Sequence, residues 1–261
     1  MKSVIQSENW WPLLLRALDL LARPTAHNIL QGFEAWDYNL RLRPCLRQLE
    51  RARFLASRGS GRDRRLHATP EGRLAAVGGV DPARRWERPW DGRWRLLMFD
   101  LPSRNQTLRL RLWRWLRRSR FGYLQHSVWL SPDPVTDENL PLRRLKLTPE
   151  AFVVMEGRPT GSDTDEDLIQ SAWDFTSINR RYQRGCELAE RGRKMARCGN
   201  AKPADVHGWL AENQLAWLTA VDSDPLLPEL LLPKDYLGRE AWEQRNAGLD
   251  ALAKLEIVPS V

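Results

Sequence analysis

Between residues 94 and 155, three short apolar runs alternate with two longer stretches, and this order constrains the fold more than any other feature of the chain. Trp94-Arg95-Leu96-Leu97-Met98-Phe99-Asp100 suits a strand buried on both faces. From Arg104 to Ser119, Leu108, Leu112, Trp115 and Leu116 recur at helical spacing, with arginines filling the other faces. Gly122 to Leu130 reads as a second strand closed by Ser131-Pro132, and Phe152-Val153-Val154-Met155 as a third. Leu140, Leu142 and Leu145 mark the stretch between them. Strand, helix, strand, helix, strand in about 70 residues predicts a ferredoxin-like α/β sandwich.

Residues 1–85 read differently. Leu13, Leu14, Ala17, Leu18 and Leu21 define a first helix that Pro24 ends, and Thr25 caps a second carrying Ile29, Leu30 and Phe33 inward. A third helix begins around Leu42 or Arg43, because Pro44 is tolerated only near a helix start. Leu42, Leu46 and Leu49 share one face of it. Arg43, Arg47 and Arg51 form a stripe about 100–180° around the axis. Phe54 to Arg58, then Gly59-Ser60-Gly61, then Arg62 to His67 reads as a β-hairpin with a basic tip. Thr69-Pro70-Glu71 opens a further short helix. Three helices and a basic hairpin predict a winged helix-turn-helix, with the third helix in the major groove and the hairpin along the phosphates. The candidate DNA contacts are Arg41, Arg43, Arg47, Gln48, Arg51, Arg58, Arg62, Arg64 and Arg65.

The charge distribution agrees with that reading. Residues 1–85 hold 15 Lys and Arg against 8 Asp and Glu, residues 86–160 hold 14 against 8, and residues 161–261 hold 12 against 17. The net +8 is therefore a basic front and an acidic rear, and a polyanion is drawn to one end. A GC-rich coding sequence accounts for an excess of Arg over Lys, but not for this asymmetry.

In residues 161–261, Asp163 to Asp167 reads as a polar linker and Leu168 to Met195 as one long helix carrying Phe175, Ile178 and Tyr182. A second helix carries Trp209, Leu215 and Trp217. Pro225, Pro228 and Pro233 then punctuate a leucine-rich segment before a final helix from Gly238 to Leu255. The expected class is α+β with three domains: 1–85, a winged helix-turn-helix; 86–160, ferredoxin-like; 161–261, a helical domain for effector binding or dimerisation.

Several chemistries find no support in the residues. The longest apolar run, Trp10 to Leu15, stops at Arg16, too short for a membrane span, and the N-terminus lacks a signal-peptide pattern. A cytoplasmic protein is expected. Cys45, Cys186 and Cys198 are scattered and odd in number, which suits neither a disulfide framework nor a thiolate metal site. Asp100 has no second carboxylate within a few residues, so a turn cap is favoured over a metal ligand. His126 lacks a ligand or nucleophile partner and reads as a packed or hydrogen-bonded histidine. No catalytic residue, metal or cofactor is expected.

The chain resembles the PaaX-type bacterial transcriptional regulators, whose type member represses phenylacetate degradation. Leu42-Arg43 with Leu46, Leu49 and Phe54-Leu55 is similar to the family's third helix and its exit. Gly61-Arg62 and Thr69-Pro70-Glu71-Gly72 are similar to its wing and sequel, and Trp90-Asp91-Gly92-Arg93-Trp94 to the opening of its middle domain. Phe121-Gly122-Tyr123-Leu124, Trp129-Leu130-Ser131-Pro132, Trp173-Asp174 with Tyr182, and Asp224-Pro225 through Leu231-Leu232-Pro233, Gly238 and Ala241 continue the match. Arg65 and Leu66 stand where the family has wing aromatics, Gln48 where it has an arginine, and Tyr236-Leu237 where it often has Trp-Pro. The resemblance implies a dimeric repressor that binds a palindromic operator in double-stranded DNA and is released by an aryl-acetyl thioester of coenzyme A.

For such a ligand, Arg109, Arg111, Arg114, Arg117 and Arg118 are candidate phosphate contacts, with Trp173, Trp209 and Trp217 as apolar walls. The middle segment also resembles the small CRISPR adaptation nuclease at Phe99-Asp100 and Gln125 to Trp129, so a metal-dependent nuclease using Asp100 is the rival reading. A basic protein-interaction module is a third.

Overall fold

The computed structural model describes residues 43–58, 65–101, 106–136, 152–199 and 203–253. The helices expected within 1–40, the tip of the basic hairpin and the Leu140 to Leu145 stretch lie outside them. In chain order the first elements are α1 (Arg43–Arg51), β1 (Leu55–Arg58), β2 (Arg65–Ala68), α2 (Pro70–Ala76) and α3 (Pro82–Glu87). Next come β3 (Trp94–Phe99), α4 (Gln106–Arg118), β4 (Gly122–Gln125), β5 (Val128–Ser131) and β6 (Phe152–Gly157). The rear holds α5 (Asp165–Ala172), α6 (Phe175–Cys198), α7 (Pro203–Ser223), a 3-10 turn at Glu229–Leu231 and α8 (Gly238–Ala253).

Two compact units divide the chain: Met1–Asp81 with Arg180–Ala220 and Leu237–Val261, and Pro82–Asn179 with Val221–Tyr236. The segment 161–261, read from sequence as one helical domain, is shared between the two units.

In the first unit, α1 ends where Arg53 takes the left-handed conformation (φ 60°). The Arg53 N–H then bonds the Glu50 carbonyl at 3.0 Å and the Phe54 N–H reaches the Leu49 carbonyl at 2.9 Å. This is the helix stop that usually employs glycine, and it turns the chain into β1. β1 and β2 pair antiparallel with Leu55 opposite Ala68 and Arg58 opposite Arg65. Leu55 and Leu66 share the inward face with Leu49 of α1 behind them, each no more than 3% exposed. In the rear of this unit Val206, Trp209, Leu210, Leu249 and Leu252 form a core cluster. Trp209 reaches it only because Gly192 has no side chain: a Cβ there would lie 2.4 Å from the indole.

The second unit is built on a four-stranded sheet ordered β4-β5-β3-β6, with every neighbouring pair antiparallel. That is the strand order of a ferredoxin-like sheet. The face bearing Leu97, Phe99, Trp129 and Phe152 packs on Leu112 and Leu116 of α4. α5 covers part of the other face, where a Cβ on Gly122 would collide with Ala172 and Trp173.

Five expectations are corrected. β3 is fully buried on one face and only in part on the other, where Trp94 is buried, Leu96 and Met98 are partly buried, and the adjoining Val153 and Met155 of β6 are 48% and 56% exposed. An antiparallel sheet needs only one covered face. Gly122 to Leu130 is not one strand but the hairpin β4–β5, reversed at His126 (φ 45°). His126 is accordingly exposed rather than packed. Asp163 to Asp167 is not a linker: Thr164 caps α5, the Asp167 carboxylate accepts from the Thr164 N–H at 2.8 Å, and three acids in the first turn suit the helix dipole. The expected long helix is two, broken where Trp173 is extended and Asp174 accepts from the Ser177 N–H at 2.9 Å.

Candidate nucleic-acid interface

The basic surface of the first unit starts with α1. With Leu49 buried, Arg47, Gln48 and Arg51 emerge into solvent as one exposed face of the helix. Arg58 ends β1, also exposed, and the register pairs its position with Arg65 of β2. Among the described residues, no ion pair holds Arg47, Arg51 or Arg58. Arg43 starts α1. Arg41, Arg62 and Arg64 lie outside the described residues.

One junction positions helix and hairpin together. The Thr69 hydroxyl donates to the Arg53 carbonyl at 2.7 Å and accepts from the Gly72 N–H at 3.0 Å. The Thr69 N–H donates to the Phe54 carbonyl at 3.0 Å. Gly72 is obligatory here, because a Cβ would stand 2.0 Å from the Phe54 oxygen. The exit of α1, the return of the hairpin and the start of α2 are thus locked by one threonine and one glycine. The far end of α2 is held as well: Gln214 Nε2 of α7 donates to the Ala76 carbonyl at 2.5 Å, and Gln214 Oε1 accepts from Arg245 Nη2 at 2.8 Å.

The arginines proposed from sequence for an anionic ligand sit on α4 and have unlike surroundings. Arg109 donates to the Leu101 carbonyl at 2.7 Å, and Arg117 lies 5.9 Å over the Trp113 ring. Arg111, Arg114 and Arg118 are exposed on one stripe of the helix. Trp173 belongs to the opposite side of the sheet, 6.3 Å from the Trp94 ring. Trp209 and Trp217 belong to the first unit, where Trp209 is 1% exposed and donates to the Leu188 carbonyl at 2.6 Å. The arginines and tryptophans of that expectation are therefore not gathered into one site within either unit.

Asp100 is exposed, immediately after β3. Among the described residues, no group of three or more His, Cys, Asp and Glu is arranged to hold a metal ion, and no helix is long and apolar enough to cross a membrane.

Buried ion networks in the second unit escaped the sequence reading. Arg95, 3% exposed, donates to Asp91 at 2.9 Å and to Glu156 at 3.0 Å. The bond from Arg95 holds the Asp91 carboxyl below its ordinary value, and the bond to Asp91 raises the guanidinium in turn. Asp133 accepts from Arg85 and Arg88, each at 2.6 Å. Burial pushes the Asp133 carboxyl up, but hydrogen bonds and charge from Arg88 and Arg85 outweigh it, and the group sits below its ordinary range. Arg88 also donates to the Leu226 carbonyl at 2.5 Å, which ties the proline-punctuated segment into this unit. Asp91 lies four residues from Arg95, but Glu156 and Asp133 join these networks from 45 to 61 positions away, which spacing does not show.

Among curated proteins, none matches the sequence significantly. One solved structure to which the chain is similar is "Uncharacterized protein Rv0674 from Mycobacterium tuberculosis". The TM-score is 0.57 over 93% of this chain and 94% of that one, at 19% identity, a likeness in fold. Residues 87–169 match the model described as the PaaX protein central Cas2-like domain. That span covers β3 through β6 and the start of α5, the part of the chain in which the Trp90 to Trp94 motif and the β4–β5 hairpin carry the resemblance, and over it the chain is similar to the PaaX central domain.

Proposed function

We propose that the protein is a DNA-binding transcriptional regulator, a repressor that leaves a palindromic operator when it binds a small acyl ligand such as an aryl-acetyl thioester of coenzyme A. It acts as a cytoplasmic homodimer without catalytic activity. The observation that carries the reading is the exposed Arg47, Gln48 and Arg51 face of α1, fixed through Thr69 and Gly72 beside a hairpin that pairs two arginine positions. Arg and Gln are suited to bidentate contacts with guanine and adenine edges in the major groove, and the hairpin arginines to phosphates. The PaaX central-domain match supports a regulator in the same chain.

The test is selection from a random duplex library, followed by titration of the enriched duplex and of a scrambled one. A regulator enriches a two-fold symmetric sequence and binds it at least about 10³-fold more tightly than the scrambled duplex. Equal affinity for both, or no enrichment, contradicts the proposal. Cleavage of either duplex with magnesium or manganese, lost in Asp100→Ala, favours the nuclease reading instead.

A further inference from the structure

Helices α6, α7 and α8 meet around Trp217. Its indole lies 5.0 Å from the Trp242 ring and 6.0 Å from the Tyr182 ring, and the Arg245 guanidinium stands 5.3 Å over it. Asn213, one turn earlier on α7, falls on the same side of the helix. Asn213 and Trp217 are each 3% exposed and Arg245 is 4% exposed. Two donors in this cluster are buried with no acceptor: Asn213 Nδ2 and Trp217 Nε1. An orphaned buried donor forfeits its hydration and gains nothing in return, so native structures hold few of them. Here two stand four residues apart beside a buried positive charge. On α6, one turn past Tyr182, a Cβ on the partly buried Gly185 would meet no atom within 4 Å.

We propose that Asn213, Trp217 and Arg245 form a recognition site for a small planar organic anion, an aromatic carboxylate. Its carboxylate oxygens accept from the Asn213 amide and the Trp217 indole N–H, and Arg245 balances the charge. Its ring lies against Trp242 and Tyr182, whose flat faces suit an aromatic body. The site has a mechanical outlet. Arg245 Nη2 bonds Gln214 Oε1, and the same amide holds the Ala76 carbonyl at the end of α2. A carboxylate that draws Arg245 toward itself competes with Gln214, and α2 leads directly to the Thr69 and Gly72 junction of the hairpin. This inference goes beyond the regulator reading, whose acyl thioester carries no free carboxylate at the acyl group, and rests on that reading only for the outlet.

The test is calorimetric titration of the full chain with benzoate, cinnamate and 2-naphthoate, alongside acetate and benzyl alcohol. The aromatic carboxylates bind saturably, while acetate lacks the ring and benzyl alcohol the charge, so both bind at least tenfold more weakly. Asn213→Leu and Trp217→Phe each remove an orphaned donor while keeping an apolar body. Each weakens the best carboxylate at least tenfold; Asn213→Leu, which keeps the volume, leaves the thermal midpoint unchanged or higher, while Trp217→Phe lowers it through the space it opens. Absence of saturable binding by all three carboxylates overturns the proposal, as does binding that neither substitution weakens. Operator titrations of the same proteins without added carboxylate separate the two readings: failure to bind DNA with carboxylate binding intact sinks the regulator and leaves the site standing.

Discussion

Gln214 Nε2 donates to the carbonyl of Ala76 across 138 positions of the chain, and Gln214 itself is 2% exposed. The bond closes α7 against the end of α2, so the segment that carries the hairpin is fastened to the rear helices of its own unit. Gln214→Ala strands a buried carbonyl and takes an acceptor from Arg245. A buried polar group left without its partner costs about 1–3 kcal/mol, and a lower urea midpoint in that range is the expected result. An unchanged midpoint removes the bond from the account.

Two arginines occupy the left-handed position after a helix, Arg53 after α1 and Arg120 after α4, with φ of 60° and 66°. Their side chains differ in what they do. Arg53 is exposed, so Arg53→Gly relieves the backbone and is expected to be neutral or stabilising by up to about 1 kcal/mol. The Arg120 guanidinium donates to the carbonyls of Val221, at 2.7 Å, and Asp224. Arg120→Gly relieves the same strain but forfeits both bonds, with a net loss of about 1–3 kcal/mol. A thermal midpoint lowered in Arg53→Gly, or not lowered in Arg120→Gly, means the reading of these helix ends is wrong.

Gly72→Ala places a methyl group into the Phe54 carbonyl, 2.0 Å away in the unrelaxed backbone. Forcing atoms into a packed junction costs about 1–3 kcal/mol, and the backbone must shift where α1, hairpin and α2 join. Destabilisation together with weaker operator binding is expected. A variant as stable as the parent shows that the junction yields freely.

How much of this was legible follows from what each feature depends on. The Thr69 cap and the glycine-bounded hairpin were readable because a few adjacent residues determine them. The β-strands of the second unit were readable as apolar runs, but the β4–β5 reversal was not, since His126 and Ser127 carry no turn signal and His126 adopts a positive φ. Thr164 and Asp167 had the spacing of a capping box, and the acidic run hid it. The α6 start was concealed because Trp173 and Phe175 continue a helical apolar pattern across the break. The Asn213 and Gln214 pair, polar residues set among Leu210, Leu215 and Trp217, was a sign of buried polarity that the sequence reading passed over. The separation of α4 from Trp173 was hidden for a different reason: composition says which side chains are available, and only the sheet decides that α4 and Trp173 lie on opposite faces.

The Asp133 carboxyl is held below its ordinary value by Arg88 and Arg85 against the opposing effect of burial. A depressed carboxylate contributes stability that is complete above its unfolded value, near 3.8, and is lost as pH falls through the folded value. Asp133→Asn removes this contribution. The parent's denaturation midpoint is expected to fall more steeply than the variant's as pH drops from about 5 to about 2. Parallel curves mean that the pair of arginines leaves Asp133 unperturbed.

DNA recognition by α1 and the hairpin is tested most directly by anisotropy titrations of a selected operator and a random duplex across a salt series. Arg47→Ala is expected to cost about 1–3 kcal/mol on the operator, with a smaller effect on random DNA. Arg58→Ala is expected to weaken both duplexes alike and to reduce the salt slope by about 1. Parent-like affinity and slope in both variants would contradict the assignment of this surface to DNA.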